Sequence, residues 1–194
     1  MPQPLKLFLK STIFEKEKVL IIDPEFLEYD GMNFSKFEIA EVCYGIKAIK
    51  GYRFRIGRIY CIDIKSLNGN IIKLRLKSLY RIRIKKLTEK YKIILNALFK
   101  NYINDISLTY IKMFNDKIDF SVLGVIFSQA GIQLDKKSDI ISWLDLGTKK
   151  YNTYYSLFSN SDSKKYKLFY YLSDWNTVVL YSVSRSILKA KQLL

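Results

Sequence analysis

Residues 53–85 alternate between charged and apolar side chains with a period of two. The apolar residues Ile62, Leu74 and Leu76 fall at even positions, whereas Lys73 and Arg75 fall at odd positions. A period of two is typical of a β-strand with one wet face and one dry face, because successive side chains point to opposite sides. An amphipathic helix would instead need apolar residues three and four positions apart. This part of the chain is therefore restricted to strands.

The segment SLNGN at residues 66–70 separates two such strands and predicts a β-hairpin. A two-residue turn at Asn68 and Gly69 would set Asp63 opposite Leu74, which contradicts the alternation on both strands. A three-residue loop at 67–69 restores the alternation if Gly69 takes the left-handed conformation that glycine tolerates best. The predicted pairs are Asp63 with Lys73, Ile62 with Leu74 and Ile64 with Ile72.

After the hairpin, apolar residues no longer recur at every second position but at every third or fourth position. This spacing predicts a helix over residues 83–102. Upstream, residues 19–22 and 37–49 have strand patterns. The second half predicts strands at 120–127, 131–134, 140–146, 151–158 and 165–172. A last helix is predicted over 175–191, with Ser173 or Asp174 as its N-cap.

Strands followed by one helix therefore occur twice in 194 residues. We expect a mainly β, α+β protein of two small antiparallel barrels or sheets, each closed by a C-terminal helix that buries its apolar stripe. The predicted domains are residues 1–104 and 105–194. A faint internal match at an offset of 102 is compatible with duplication or with chance: Ile39, Gly45, Lys47 and Tyr52 recur as Ile141, Gly147, Lys149 and Tyr154.

Three stretches carry a resemblance to a known family: YCIDIKSLNGNIIKLRLKSL, KKLTEKYKIILNALFKNY and YKLFYYLSDWNTVVLYSVSRSIL. With the doubled plan, the chain resembles a tandem pair of bacterial pleckstrin-homology-like (PH-like) domains. The resemblance implies a module without catalytic activity that binds a lipid head group, a peptide or another protein. In eukaryotic members the phosphoinositide site is a basic motif around the first strand-to-strand loop. The segment predicted to form that loop, EYDGMNFSK at 28–36, is acidic to neutral, which argues against phosphoinositide binding.

The formal net charge is +15, and most of the excess lies between residues 47 and 92, where fifteen Lys and Arg face only Asp63 and Glu89. A general lysine bias does not explain this cluster, because six of the seven arginines lie between residues 53 and 83. Such a surface attracts phosphates and other anions. The candidate binding residues are Arg53, Arg55, Arg58, Lys73, Arg75, Lys77, Arg81, Arg83 and Lys85.

Several classes of function receive little support from the residues present. Histidine is absent, which removes Ser-His-Asp and Cys-His catalysis and histidine-liganded metals. Neither a phosphate-binding glycine loop nor a metal-ligand cluster is found, so we expect no enzyme activity, no metal and no cofactor. Cys43 and Cys61 fit small buried thiols. Neither a signal peptide nor a membrane-spanning run is seen, and the expected location is the cytoplasm.

The first half is therefore predicted to present a basic sheet face to an acidic protein or an anionic membrane surface. Nucleic acid is the alternative ligand for the same face, and an immunity or defence-associated protein that blocks a partner is a third possibility. The simplest alternative is a solvated strand face that prevents edge-to-edge aggregation. The oligomeric state is not readable from the sequence.

Overall fold

The computed structural model describes residues 3–10, 16–52, 54–80 and 82–194 of the chain. These residues form two compact units, Met1–Ile103 and Asn104–Leu194. Each unit contains a four-stranded sheet, a three-stranded sheet and helical segments.

Unit 1 begins with a four-stranded antiparallel meander in the order β1-β2-β3-β4. Its strands are β1 (Leu5–Leu9), β2 (Lys18–Ile22), β3 (Phe26–Tyr29) and β4 (Met32–Ser35). A tight turn at Asp30 and Gly31 joins β3 to β4, and both residues have positive φ, 53° and 78°. The segment 28–36 is thus this third hairpin, and the prediction that it connects the first two strands was wrong.

The second sheet of unit 1 follows a short 3-10 turn, Lys36–Glu38, and has the order β5-β6-β7. Its antiparallel strands are β5 (Ile39–Lys50), β6 (Arg55–Ser66) and β7 (Ile71–Leu79). The predicted hairpin is confirmed: Asp63 pairs with Lys73, and Gly69 has a φ of 82°. Ile62 pairs with Leu74 and Ile64 with Ile72, so the even positions of β6 and β7 form the buried face.

Helix α1 (Ile84–Leu98) closes unit 1 and runs into a π-helical turn, Phe99–Ile103. The rings of Tyr91 and Tyr60 lie 5.1 Å apart, which packs the helix against β6. The hydroxyl of Tyr102 donates to the carbonyl oxygens of Asp23 and Phe26, each at 2.6 Å, and so binds the turn to the β2–β3 connection. The predicted helix over 83–102 is confirmed to within a residue at each end.

Unit 2 begins with α2 (Asn104–Asn115), a helix that the sequence analysis did not predict. A four-stranded antiparallel sheet follows: β8 (Phe120–Val122), β9 (Val125–Phe127), β10 (Gly131–Gln133) and β11 (Ile141–Ser142). The segment 120–127 is thus two strands and not one. Leu123 and Gly124 turn the chain between them with φ of 53° and 74°.

The second sheet of unit 2 contains β12 (Leu146–Lys150), β13 (Tyr154–Ser159) and β14 (Tyr166–Tyr170), in that order. The closing helix α3 (Thr177–Ala190) buries an apolar stripe that includes Val179, Leu180 and Val183. Its N-cap is Asn176 and neither of the predicted residues. The Asp174 carboxylate instead accepts a hydrogen bond from the backbone N–H of Tyr170, at 2.8 Å.

The prediction of a mainly β, α+β protein is confirmed. The prediction of closed barrels is wrong, because the described strands form four separate sheets and the two sheets of a unit share no ladder. The faint internal match is partly explained by position: Gly45 and Lys47 lie on β5, and Gly147 and Lys149 lie on β12, each the first strand of a three-stranded sheet.

Candidate functional site

The odd-numbered face of the β5-β6-β7 sheet carries part of the predicted basic surface. The register places Lys47 and Lys77 on either side of Ile59, and Lys73 beside Asp63. These three lysines are exposed. The predicted solvent-exposed face therefore exists, but its exposed cations are three lysines on two strands, β5 and β7.

Arg75 lies on the same face and is paired with Asp63. One guanidinium nitrogen donates to Asp63 Oδ1, and Nη2 donates to Oδ2 at 2.8 Å, which makes the pair bidentate. Nη1 also donates to the carbonyl of Leu74 at 2.9 Å. The hydrogen bond to Asp63 is the main cause that raises the pKa of Arg75. Because its charge is balanced locally, Arg75 contributes little to attracting an anion.

The two cysteines also lie on this face, at register positions next to Asp63 and Arg75. Both thiols are free and buried, as predicted. Burial raises the pKa of Cys43 to about 12 and also raises the pKa of Cys61. Thiols held in the protonated form are poor nucleophiles and poor metal ligands.

We expect the Asp63–Arg75 pair to stabilise unit 1 more than the single-contact pair Lys65–Glu41, whose nitrogen and oxygen lie 2.6 Å apart. Asp63→Ala leaves a half-buried guanidinium without its carboxylate and should lower the free energy of unfolding by about 1–3 kcal/mol. Glu41→Ala breaks a pair about one third exposed and should cost less than about 1 kcal/mol. Urea denaturation measures both. Equal effects would show that the bidentate geometry adds nothing.

A β-bulge removes Arg55 from the odd-numbered face. Ile49 pairs with Gly57 but Lys50 pairs with Arg55, so Ile56 is an extra residue on β6. An extra residue interrupts the alternation of faces. The odd number of Arg55 therefore does not place it on the same face as Lys73 and Lys77.

Arg58 lies on the even-numbered face, in register with Ala48 and with the buried Ser78. Arg55 and Arg58 line one groove of about 650 Å³. Apolar residues complete its walls: Phe54, Ile56, Tyr80 and Ile84. The structure thus divides the predicted basic face into lysines on the odd face and arginines at one end of the sheet.

This end of the sheet, where β5 ends, β6 begins and β7 ends, is called the basic end. Its connections are held by backbone hydrogen bonds, from Gly51 N–H to the Phe54 carbonyl at 2.8 Å and from Tyr80 N–H to the Ile56 carbonyl at 2.7 Å. The Ser78 hydroxyl donates to the carbonyl of Ile82 at 2.8 Å. The basic end comprises the cations Lys50, Arg55, Arg58, Arg83 and Lys85 and the apolar residues Tyr52, Phe54, Leu79, Tyr80 and Ile82.

The apolar side chains of the basic end are unusually exposed for their type. Tyr52 is 97% exposed, Phe54 78%, Tyr80 72% and Ile82 61%. The sequence segments 42–62 and 76–88, which include these residues, contain no Asp or Glu. Of these apolar residues the sequence analysis missed Phe54, Leu79 and Ile82, whereas Tyr52 and Tyr80 were candidates for stacking on nucleic-acid bases. A signal was present, because Tyr52 and Phe54 stand outside the strands among arginines.

Arg53 and Arg81 lie outside the described residues. Arg83 is exposed with a φ of 57° immediately before α1, and Lys85 is exposed in its first turn. The described cations of the basic end thus come from two strands, β5 and β6, and from the start of α1.

Comparison with known proteins assigns no family. The chain matches no protein-family model. The searches of curated proteins and of solved structures also find no match. In the described part of the chain, no helix has the length and apolar character needed to cross a membrane. The same residues contain no group of three or more Cys, Asp or Glu placed to hold a metal ion.

Proposed function

We propose that the chain is a cytoplasmic binding module without catalytic activity, and that the basic end of unit 1 docks on an anionic membrane surface. The observation that carries the proposal is the grouping of exposed aromatic and aliphatic side chains with arginines and lysines, and without acidic residues, at one end of one sheet.

Both parts of the basic end fit the interface between lipid and water. Anionic head groups attract nearby Lys and Arg side chains, each contributing about 1 kcal/mol near the surface. Tyrosine is favoured at the depth of the head groups, because its ring is apolar and its hydroxyl is polar. Phe54 and Ile82 would enter the interface while Arg55 and Arg58 bind lipid phosphates.

The aliphatic residues favour a membrane over the other predicted partners. Nucleic acid offers phosphates to Arg58 and bases to Tyr80, but it gives Leu79 and Ile82 little to pack against. An acidic protein surface would also pair with the cations. Binding to such a partner is the competing outcome of the tests below. The lysines of the odd-numbered face would add long-range attraction only.

The PH-like resemblance remains part of the proposal. Each unit has a four-stranded antiparallel sheet, then a three-stranded one, then a helix that packs on it, and this repeated order supports a tandem pair. We propose that the pair arose by duplication.

Removing apolar surface from the basic end should weaken membrane binding without changing the net charge. We expect Phe54→Ser and Ile82→Ser each to lower partitioning onto phosphatidylserine-containing vesicles about threefold to tenfold. Each variant has less apolar side-chain area to transfer from water into the membrane interface. Co-sedimentation measures the effect. Leu144→Ser is the matched control, since Leu144 is 83% exposed and belongs to unit 2. Unchanged binding of the first two variants would contradict insertion and favour an acidic protein partner.

A further inference from the structure

Unit 2 has an exposed aromatic surface on its three-stranded sheet. The register places Tyr154 opposite Tyr170 and Phe158 opposite Tyr166, so all four rings lie on one face. The residues between them point to the other side, where Tyr155, Leu157 and Phe169 are buried. We call this surface the aromatic face; it comprises Tyr151, Tyr154, Phe158, Tyr166, Leu168 and Tyr170.

The rings of the aromatic face are held in place by their neighbours. Tyr151 stacks on Tyr154 at 4.4 Å between centroids with 26° between their planes, and Tyr154 lies 5.8 Å from Tyr170. Phe158 covers Gly147, where an added Cβ would lie 2.2 Å from the ring. Tyr166 and Tyr170 are nevertheless 60% and 47% exposed. The face is therefore ordered and open to a ligand.

The surroundings of the aromatic face suit an anion and polar groups. Lys149 Nζ lies 5.2 Å from the centroid of Tyr151, and Ser156, Asn160 and Ser163 line the groove across the sheet. The described residues that line this groove include no Asp or Glu. In sequence, residues 145–174 carry five lysines against Asp145, Asp162 and Asp174. Lys165 is paired with Asp139, and the Asp174 carboxylate accepts a hydrogen bond from the backbone N–H of Tyr170.

We propose that the aromatic face binds single-stranded nucleic acid, with bases stacked on the tyrosines and the backbone held by Lys149. Bases stack on aromatic side chains whatever their sequence, and sheets with exposed aromatic residues are suited to this mode because a single strand can lie flat across them. Tyr166 and Tyr170 are four residues apart on β14, which is about 13 Å along the strand and leaves room for separate bases. The aromatic face shares no residue with the basic end, so this site is independent of membrane docking.

Fluorescence anisotropy of the full chain with a labelled single-stranded oligonucleotide, and with its duplex, tests the site. We expect the single strand to bind more tightly than the duplex. Tyr170→Ala should weaken single-strand binding about tenfold, whereas Tyr170→Phe keeps the ring and should bind like the unaltered protein. Tyr166→Ala, at a more exposed position, provides a second variant that removes a ring with little risk to folding.

Salt dependence separates stacking from simple attraction to a basic protein. Tyr170→Ala should lower affinity by the same factor at every salt concentration, whereas Lys149→Glu should reduce the slope against salt. The Arg55→Glu/Arg58→Glu protein removes nonspecific binding at the basic end and should keep the preference for the single strand. Absence of binding at low salt, equal affinity for the duplex, or unchanged affinity in both alanine variants would overturn the proposal.

Discussion

Reversing the charges of Arg55 and Arg58 together should remove most binding to anionic vesicles. The double variant Arg55→Glu/Arg58→Glu changes the basic end by four unit charges, and each unit is worth about 1 kcal/mol near an anionic leaflet. We therefore expect partitioning onto phosphatidylserine-containing vesicles to fall by about a hundredfold or more at physiological ionic strength. Both side chains line an open groove, so the fold should survive the change.

The matched control is Lys73→Glu/Lys77→Glu, which changes the net charge of unit 1 by the same amount. Both lysines are exposed on the odd-numbered face of the neighbouring strand β7. We expect a clearly smaller loss, because neither lysine lines the groove that contains Arg55 and Arg58. An equal loss in the two double variants would mean that net charge alone drives association, and that the basic end has no special role.

Gly57→Ala should destabilise unit 1 and disturb the basic end at once. A Cβ at position 57 would lie 2.3 Å from the carbonyl oxygen of Ser78 and 3.2 Å from the Cα of Leu79, both backbone atoms of β7. The strands must separate there, which breaks the Gly57–Leu79 pairing next to the bulge. We expect the free energy of unfolding to fall by about 2–4 kcal/mol, as measured by urea denaturation.

Gly51→Ala is the control for the Gly57 variant, in the same part of the sheet. Its added Cβ would lie 3.1 Å from the Cγ2 methyl of Ile56, a side-chain atom, and 3.7 Å from the nearest backbone atom, the carbonyl oxygen of Phe54. The expected loss is below about 1 kcal/mol. Similar losses in the two variants would show that the close approach of β7 to Gly57 is not the source of the effect.

The local pattern was sufficient to predict the β6–β7 hairpin completely. One acidic residue at an odd position, Asp63, and one glycine, Gly69, left a single register that kept Ile62, Ile64, Ile72 and Leu74 on one face. The buried half of the run YNTYYSLF followed from the same rule, with Tyr155 and Leu157 in the core. Such features depend on neighbouring residues alone.

The placement of Arg55 could not be predicted because it depends on a partner strand. Nothing in the local sequence marks Ile56 as an extra residue; the bulge is defined by the pairing of β5 with β6. The pairing of Arg75 with Asp63 is a diagonal contact across the hairpin, whereas the strand register alone pairs Asp63 with Lys73. The grouping of Phe54 with Tyr80 likewise joins two loops distant in sequence.

Sheet closure and the strand count of unit 1 were also beyond the sequence patterns. β3 and β4 are four residues each, too short to show a period, and the segment 28–36 is rich in turn-forming residues. The hydroxyl of Tyr102 binds the β2–β3 connection across sequence separations of 79 and 76 residues, a contact that no local pattern reveals.

Vesicle co-sedimentation of the unaltered protein tests the membrane proposal most directly. Vesicles of phosphatidylcholine alone are compared with vesicles that also contain phosphatidylserine, at low salt and at an ionic strength of about 0.15 M. We predict binding to the anionic vesicles only. The binding should be weaker at the higher salt but still present, because the apolar residues of the basic end contribute binding free energy that salt does not screen. A folded protein that stays in solution with both vesicles at both salt concentrations would contradict membrane docking by the basic end.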